Sequence, residues 1–268
     1  MIQRDVYGAG ARDYARRCKA WVALLGSLAP ASSQPKPRRS SKRHKARMRP
    51  RIALIHATPV SMEPIRAAFE DAWPEARTVN ILDDSLAVDR AQSAELTETM
   101  FERFAILSRY AHESGADAIL FTCSAFGPAI ERAARQVPIP VLKPNEAMFE
   151  AAMACGQRIG MVTTFAPSVA PLQAEFDEAA ASRQPRPRLT TLLVAEAMEA
   201  LRDGDVTKHN RLVADKVGEL DACDAVMLAQ FSTSRAANDV RARVRMPVLT
   251  APDAAVAKLR KLIGGAGR

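Results

Sequence analysis

Between residues 51 and 264, short apolar runs of strand length alternate with longer stretches whose apolar residues recur at helical spacing. In the first part of that span the pattern predicts strands at 51–57, 76–82, 117–122 and 140–143. It predicts helices near 62–72, 94–114, 127–136 and 146–155. Strands alternating with amphipathic helices imply right-handed βαβ crossovers, and so an α/β fold whose parallel sheet has helices on both faces. Pro64 and Pro128 fall in first helical turns, where a missing N–H costs little. Gly115 and Gly156 stand where helices end and a left-handed residue is expected.

The pattern is written twice. At a constant offset of 107, Arg-Ile-Ala-Leu-Ile-His-Ala (51–57) answers Arg-Ile-Gly-Met-Val-Thr-Thr (158–164). Ser61, Pro64, Ala67 and Phe69 match Ser168, Pro171, Ala174 and Phe176; Asp117-Ala118 matches Asp224-Ala225, and Pro140-Val141-Leu142 matches Pro247-Val248-Leu249. Separate stretches agreeing on one ungapped offset imply two pseudo-symmetric α/β halves, 51–157 and 158–264. Each is a parallel four-stranded sheet flanked by helices, with the terminal helices free to exchange between halves. A parallel sheet binds ligands at the carboxyl ends of its strands, so the expected active site is the cleft where those ends face each other.

The most informative stretch is Asp117–Gly127 (Asp-Ala-Ile-Leu-Phe-Thr-Cys-Ser-Ala-Phe-Gly). An apolar strand stops at Thr122-Cys123-Ser124, and Gly127-Pro128 opens the next helix. Cys123 has two readings there. It is a small residue filling the strand end, or a thiolate favoured by backbone N–H groups and the positive end of a helix dipole.

Other polar residues survive at the strand ends. After the first strand come His56, Thr58 and Ser61; after the second, Asn80, Asp83, Asp84 and Ser85. The second half adds Thr163, Thr164 and Ser168, then Gln230, Ser232, Thr233 and Ser234. Each Ser or Thr taken singly reads as a helix N-cap. Together they suit a small carboxylate held by neutral donors rather than by a dedicated arginine. His56 either orients a substrate, acts as an acid near neutral pH, or is a satisfied structural residue. Of Asp83 and Asp84, one is expected to cap the following turn and the other to face the cleft. His112 and His209 read as solvated helix residues, and Cys155 and Cys223 as packing residues.

Composition narrows the class. Four cysteines without framework spacing predict a reducing, cytoplasmic setting. No CxxC or HExxH motif argues for a metal, and no GxGxxG or Walker pattern for a nucleotide, so no cofactor is expected. No stretch approaches the roughly 20 apolar residues that span a bilayer. The net charge of +8 is a property of one end. Residues 1–50 carry 13 basic and 2 acidic side chains, leaving 25 of the 38 basic and 28 of the 30 acidic residues for the rest. The body is therefore mildly acidic and the basicity belongs to an extension expected to be disordered. That extension reads as an unselected upstream segment, with Met48 directly before the first strand; weak nucleic-acid attachment is the alternative. Arg16–Ser33 mimics a secretory signal, but its apolar part is short and interrupted. The oligomeric state is open, a homo-oligomer included.

Tandem α/β halves, Thr-Cys-Ser after the third strand, Asn-Ile-Leu-Asp-Asp-Ser-Leu (80–86) and Met-Val-Thr-Thr-Phe-Ala-Pro-Ser (161–168) resemble the aspartate/glutamate/hydantoin racemase superfamily, over about 51–262. That group also contains maleate isomerase and arylmalonate decarboxylase. The resemblance implies cofactor-free proton transfer at the carbon next to a carboxylate. In the racemases two cysteines, one from each half, face each other across the cleft. It places Cys123 as the first-half cysteine and His56, Asn80, Asp84, Ser85, Thr122, Ser124, Thr163, Thr164, Gln230 and Ser232 around a small carboxylate. The 107 offset puts Gln230 where the second cysteine belongs, and an amide neither gives nor takes that proton. Three readings follow: a racemase that recruits another acid, a one-cysteine decarboxylase or cis-trans isomerase, or a carboxylate-binding protein without activity. In arylmalonate decarboxylase the retained cysteine is the second-half one, so the match here is inverted.

Overall fold

The structure, a computed structural model, describes residues 49–265. The basic extension, apart from its last two residues, and Cys18 lie outside the described residues.

The elements run β1 (Arg51–His56), α1 (Met62–Ala72), β2 (Arg77–Leu82), α2 (Ser85–Gln92), α3 (Glu98–Glu113), β3 (Ala118–Phe121), α4 (Gly127–Ala134), β4 (Val141–Leu142) and α5 (Glu146–Cys155). They continue with β5 (Arg158–Thr163), α6 (Val169–Ala180), β6 (Arg188–Leu193), α7 (Ala195–Arg202), α8 (Val206–Lys216), β7 (Ala225–Leu228), α9 (Ala237–Arg241), β8 (Val248–Thr250) and α10 (Ala251–Gly265). Two four-stranded sheets result, ordered β2-β1-β3-β4 and β6-β5-β7-β8, and every pairing is parallel. The registers repeat as the sequence does: Ile52 pairs with Ala118, and Ile159 with Ala225. The central strands are buried along their whole apolar length, as a sheet covered on both faces requires.

The helix expected over 94–114 is α3; ahead of it stands α2, which the pattern does not predict. The chain breaks at Ser93, and Thr97 restarts it by accepting a hydrogen bond from Met100 N–H. Short, polar α2 carries no long apolar stripe; only Leu86 and Arg90, one turn apart, are buried.

The halves are not packed separately. One cluster holds Ile52 and Phe149 of the first repeat together with Phe176, Met227 and Phe231 of the second. Helix α5 packs on α6, β7 and β8, and α10 packs back on α1 and α5. Phe149 and Phe176 meet edge-to-face with centroids 5.7 Å apart, a contact worth roughly 1 kcal/mol beyond the area it buries.

The repeated aspartates have a structural task. Asp117 accepts from Arg51 N–H at 2.7 Å, and Asp224 accepts from Gln157 and Arg158 N–H at 2.9 Å, so each carboxylate pins the start of its half's first strand. The Arg158 guanidinium and these N–H groups hold the Asp224 carboxyl down at about 2. Gly115 is left-handed (φ 85°), as expected. Gly156 is not: its φ of 166° is extended, and glycine is needed there because Asp224 lies against it. A methyl group on Gly156 would come within 2.6 Å of Asp224 Oδ2 and overlap its Cβ. Gly156→Ala is therefore expected to lower stability by about 1–3 kcal/mol, seen as a lower urea midpoint at unchanged slope.

Among the described residues no helix is long and apolar enough to cross a membrane.

Candidate active site

The carboxyl ends of β1, β3, β5 and β7 each run into a short 3-10 turn, and these turns bring the two halves' polar residues together. The junction is direct: Ser124, in the turn after β3, donates its hydroxyl to the carbonyl of Ala229, after β7, at 3.2 Å. The residue following Cys123 is thus bonded to the residue preceding Gln230.

On the first-half side His56 is fully buried. Its Nε2 meets Asn80 Oδ1 at 3.0 Å, which fixes the Nε2–H tautomer; Nδ1 then accepts from the Thr122 hydroxyl at 2.9 Å. With the Thr122 proton on His56, Ser61 is the donor to Thr122 Oγ1 at 2.9 Å, a proton it shares with the Thr58 carbonyl at 2.9 Å. Burial pushes the His56 pKa down, against the opposing hydrogen bond of Asn80. The imidazole is neutral and fully engaged, an orienting group for Thr122 rather than a free acid.

The second half repeats this arrangement with different atoms. At the offset of His56 and Ser61 stand Thr163 and Ser168, whose hydroxyls lie 3.1 Å apart, and Ser168 donates to the Phe165 carbonyl at 2.7 Å. At the offset of Cys123 stands Gln230, also buried. Its Oε1 accepts from Thr164 N–H (2.6 Å), the Thr164 hydroxyl (2.8 Å) and the Thr233 hydroxyl (3.2 Å). Its Nε2 donates to Ser168 Oγ at 3.1 Å. Four hydrogen bonds lock the carboxamide in place. Gln230 fills the second-half position as a strut.

Cys123 is partly buried just ahead of its 3-10 turn (Ser124–Phe126), packed against the first-half core cluster that contains Phe121 and Phe126. Burial pushes its thiol up to about 11; the Ala125 N–H and the charge of Arg90 pull the other way but do not prevail. The expectation of a favoured thiolate is corrected: the N–H donor is present, yet desolvation outweighs it and the resting sulfur is protonated.

Arg90 is the residue the sequence pattern did not disclose. It is buried, donates Nε to the Ala125 carbonyl (3.3 Å) and Nη1 to the Ser93 carbonyl (2.6 Å). No acidic side chain pairs with it among the described residues. The signal was the i, i+4 pair Leu86/Arg90, hidden because α2 was not anticipated.

The remaining expected residues divide. Asp83 accepts from the Ser85 side chain and backbone and from Arg103, which also pairs with Asp89, so it caps the turn as expected. Asp84 heads α2 without a capping bond, and it, Asn80 and Ser85 are solvent-exposed. Ser232 is buried, and its hydroxyl makes no hydrogen bond with a described residue. Two sequence readings fail. His209 is buried rather than solvated, held at Nδ1 by Asn210 on the inner face of α8. Cys155, the last residue of α5, is exposed rather than packed. Cys223 is buried beside Gly160 as expected.

Tandem parallel sheets, strand-end turns that meet across the seam, and a cysteine in one of them define a racemase-type α/β protein. The family model for Asp/Glu/hydantoin racemase matches residues 54–259, and the chain belongs to that family. No curated protein matches the sequence. Among solved structures, glutamate racemase RacE1 from Bacillus anthracis aligns over 82% of this chain and 84% of its own at 11% identity, TM-score 0.66. Allantoin racemase from Klebsiella pneumoniae aligns over 81% and 89% at 18% identity, TM-score 0.60. The Gly74Cys mutant of arylmalonate decarboxylase, in a sulfate-associated form, aligns over 82% and 95% at 16% identity, TM-score 0.58. These likenesses show the fold.

Proposed function

We propose that this protein is a cofactor-independent, cytoplasmic enzyme that moves a proton at the carbon next to the carboxylate of a small acid, on one face only, with Cys123 as its single proton-transfer group. The observation that carries this reading is the locked carboxamide of Gln230 at the position pseudo-equivalent to Cys123. An amide bonded at both ends carries no proton to the opposite face, and His56 is spent on Asn80 and Thr122. Racemisation through two opposed acids therefore has one acid here.

The resting thiol is protonated, which suits the direction in which Cys123 gives its proton to a carbanion or enediolate. In the decarboxylating case a substituted malonate loses carbon dioxide, the electron pair stays on carbon as an enediolate, and the S–H proton goes to that carbon; water then reprotonates the thiolate. Arg90 supplies positive charge near the sulfur, and Ser232 and the Asn80 amide remain as neutral donors for a carboxylate.

The test is incubation in heavy water with amino acids, hydantoins and substituted malonates, reading deuterium and handedness together. One deuterium at the α-carbon with a single product enantiomer is expected. Exchange accompanied by full loss of handedness would restore the two-acid racemase. Specific binding with neither exchange nor decarboxylation would make the chain a carboxylate-binding protein.

A further inference from the structure

One buried acid lies outside the arrangement described so far. Glu175 sits on the inner face of α6 with 9% of its surface exposed, and neither carboxylate oxygen has a hydrogen-bond partner. It presses on Gly127, the first residue of α4, so closely that a methyl group there would overlap Oε1. Helix α4 begins four residues after Cys123, and α6 also packs on the intervening 3-10 turn. Glu175 is thus a second-half contact with the loop that carries the cysteine, beside the Ser124–Ala229 hydrogen bond.

The internal repeat shows that the position is unusual. At the 107 offset the first half has Ala68, buried on α1. The seam around Ala68 contains a cavity of about 300 Å³, lined among others by Ser234, Asn238, Thr250 and Asp253. Those four are the offset partners of Gly127, Glu131, Lys143 and Glu146. One seam is left open; its twin is filled by a carboxyl group.

The groups acting electrostatically on Glu175 are Lys143 on the β4–α5 loop, Glu131 on α4, Glu146 on α5 and Glu178 on its own helix. The 3-10 turn between Cys123 and α4 has no titratable side chain. Lys143 is bonded to Glu131 at 2.6 Å, so three acids surround Glu175 and the one cation is shared. An ionised carboxylate without a donor in such a site carries a heavy desolvation penalty, whereas a neutral carboxyl group does not.

We infer that Glu175 is a protonation-dependent positioning residue: neutral, it lets α6 close on the Gly127 turn and hold the Cys123 loop shut; ionised, it shifts that contact toward an opened arrangement. Its meaning for turnover rests on the role proposed for Cys123, but the contact itself is tested without substrate. Burial pushes the Glu175 carboxyl up to about 7, which places the transition near neutral pH.

The experiment follows modification of Cys123 by a methanethiosulfonate reagent in the full chain between pH 5 and 9, with the modified peptide identified by mass so that exposed Cys155 does not contribute. Thiolate formation alone raises the rate about tenfold per pH unit. Opening driven by Glu175 adds a second factor of about ten per unit below pH 7 and none above it. The logarithmic rate should therefore break from a slope near two to a slope near one at about pH 7. Glu175→Gln should give a slope near one throughout. Gly127→Ala, whose methyl expels Glu175 at every pH, should lose the break and react faster at pH 6. A wild-type profile without the break, or a break that survives in Glu175→Gln, would overturn the inference. Failure of the proposed reaction would instead appear only in turnover, with the modification profile intact.

Discussion

Serine in place of Cys123 is expected to cut turnover by roughly 10²–10⁴-fold, the span that general acid–base groups contribute. The loss should lie at the upper end, because nothing nearby can substitute. Gln230 is bonded at both ends of its amide, His56 is neutral with both ring nitrogens occupied, and Ser124 gives its proton to the Ala229 carbonyl. A hydroxyl has the right shape but holds its proton too tightly to release it to carbon and reclaim it from water at neutral pH. Turnover should be read as deuterium incorporation or carbon dioxide release under saturating substrate. The thermal midpoint should stay within a few degrees of wild type, since the change removes no large apolar surface from water. Retained turnover in the serine variant would remove the thiol from the mechanism and leave the reading without a proton donor.

The residues that were legible beforehand are those whose signal is local or repeated. The buried central strands carry unbroken apolar runs, and the 107-residue repeat alone pairs Asp117 with Asp224, Ser61 with Ser168 and Cys123 with Gln230. What stayed hidden depends on distance in the sequence. Nothing within a few residues of Gln230 announces that Thr164, 66 residues earlier, will pin its oxygen with both a backbone N–H and a hydroxyl. In the sequence the strand-end hydroxyls read singly as N-caps and together as a carboxylate site; in the fold Thr122, Ser61, Thr164 and Ser168 are bonded to other parts of the protein. Arg90 was missed because a short polar helix has too few apolar positions to reveal its inner face. Gly156 reads as a position that glycine must occupy, but the constraint is the side chain of Asp224, just ahead of β7, not a left-handed turn.

The second large effect is on stability and reverses the usual behaviour of a native carboxylate. A salt-bridged acid has its pKa depressed on folding and stabilises the protein above the unfolded value. Glu175 is raised, from an ordinary 4.5 to about 7. Below about pH 4.5 both folded and unfolded chains hold its proton, and the group is neutral to stability. Between 4.5 and 7 the unfolded chain releases the proton while the folded chain keeps it, so stability falls as pH rises. Above 7 the full penalty is present, roughly 3 kcal/mol at 1.36 kcal/mol per unit. Glu175→Gln keeps the shape and removes the charge. At pH 8 the variant should exceed wild type by up to that amount, as a higher urea midpoint at unchanged slope, and at pH 4.5 the two should nearly coincide. The sign distinguishes this acid from Asp224, whose loss can only weaken the fold at neutral pH. A Glu175→Gln protein less stable than wild type at pH 8, or offset equally at both pH values, would mean that the carboxylate has a partner when ionised and that α6 closes on the Cys123 loop whatever its charge.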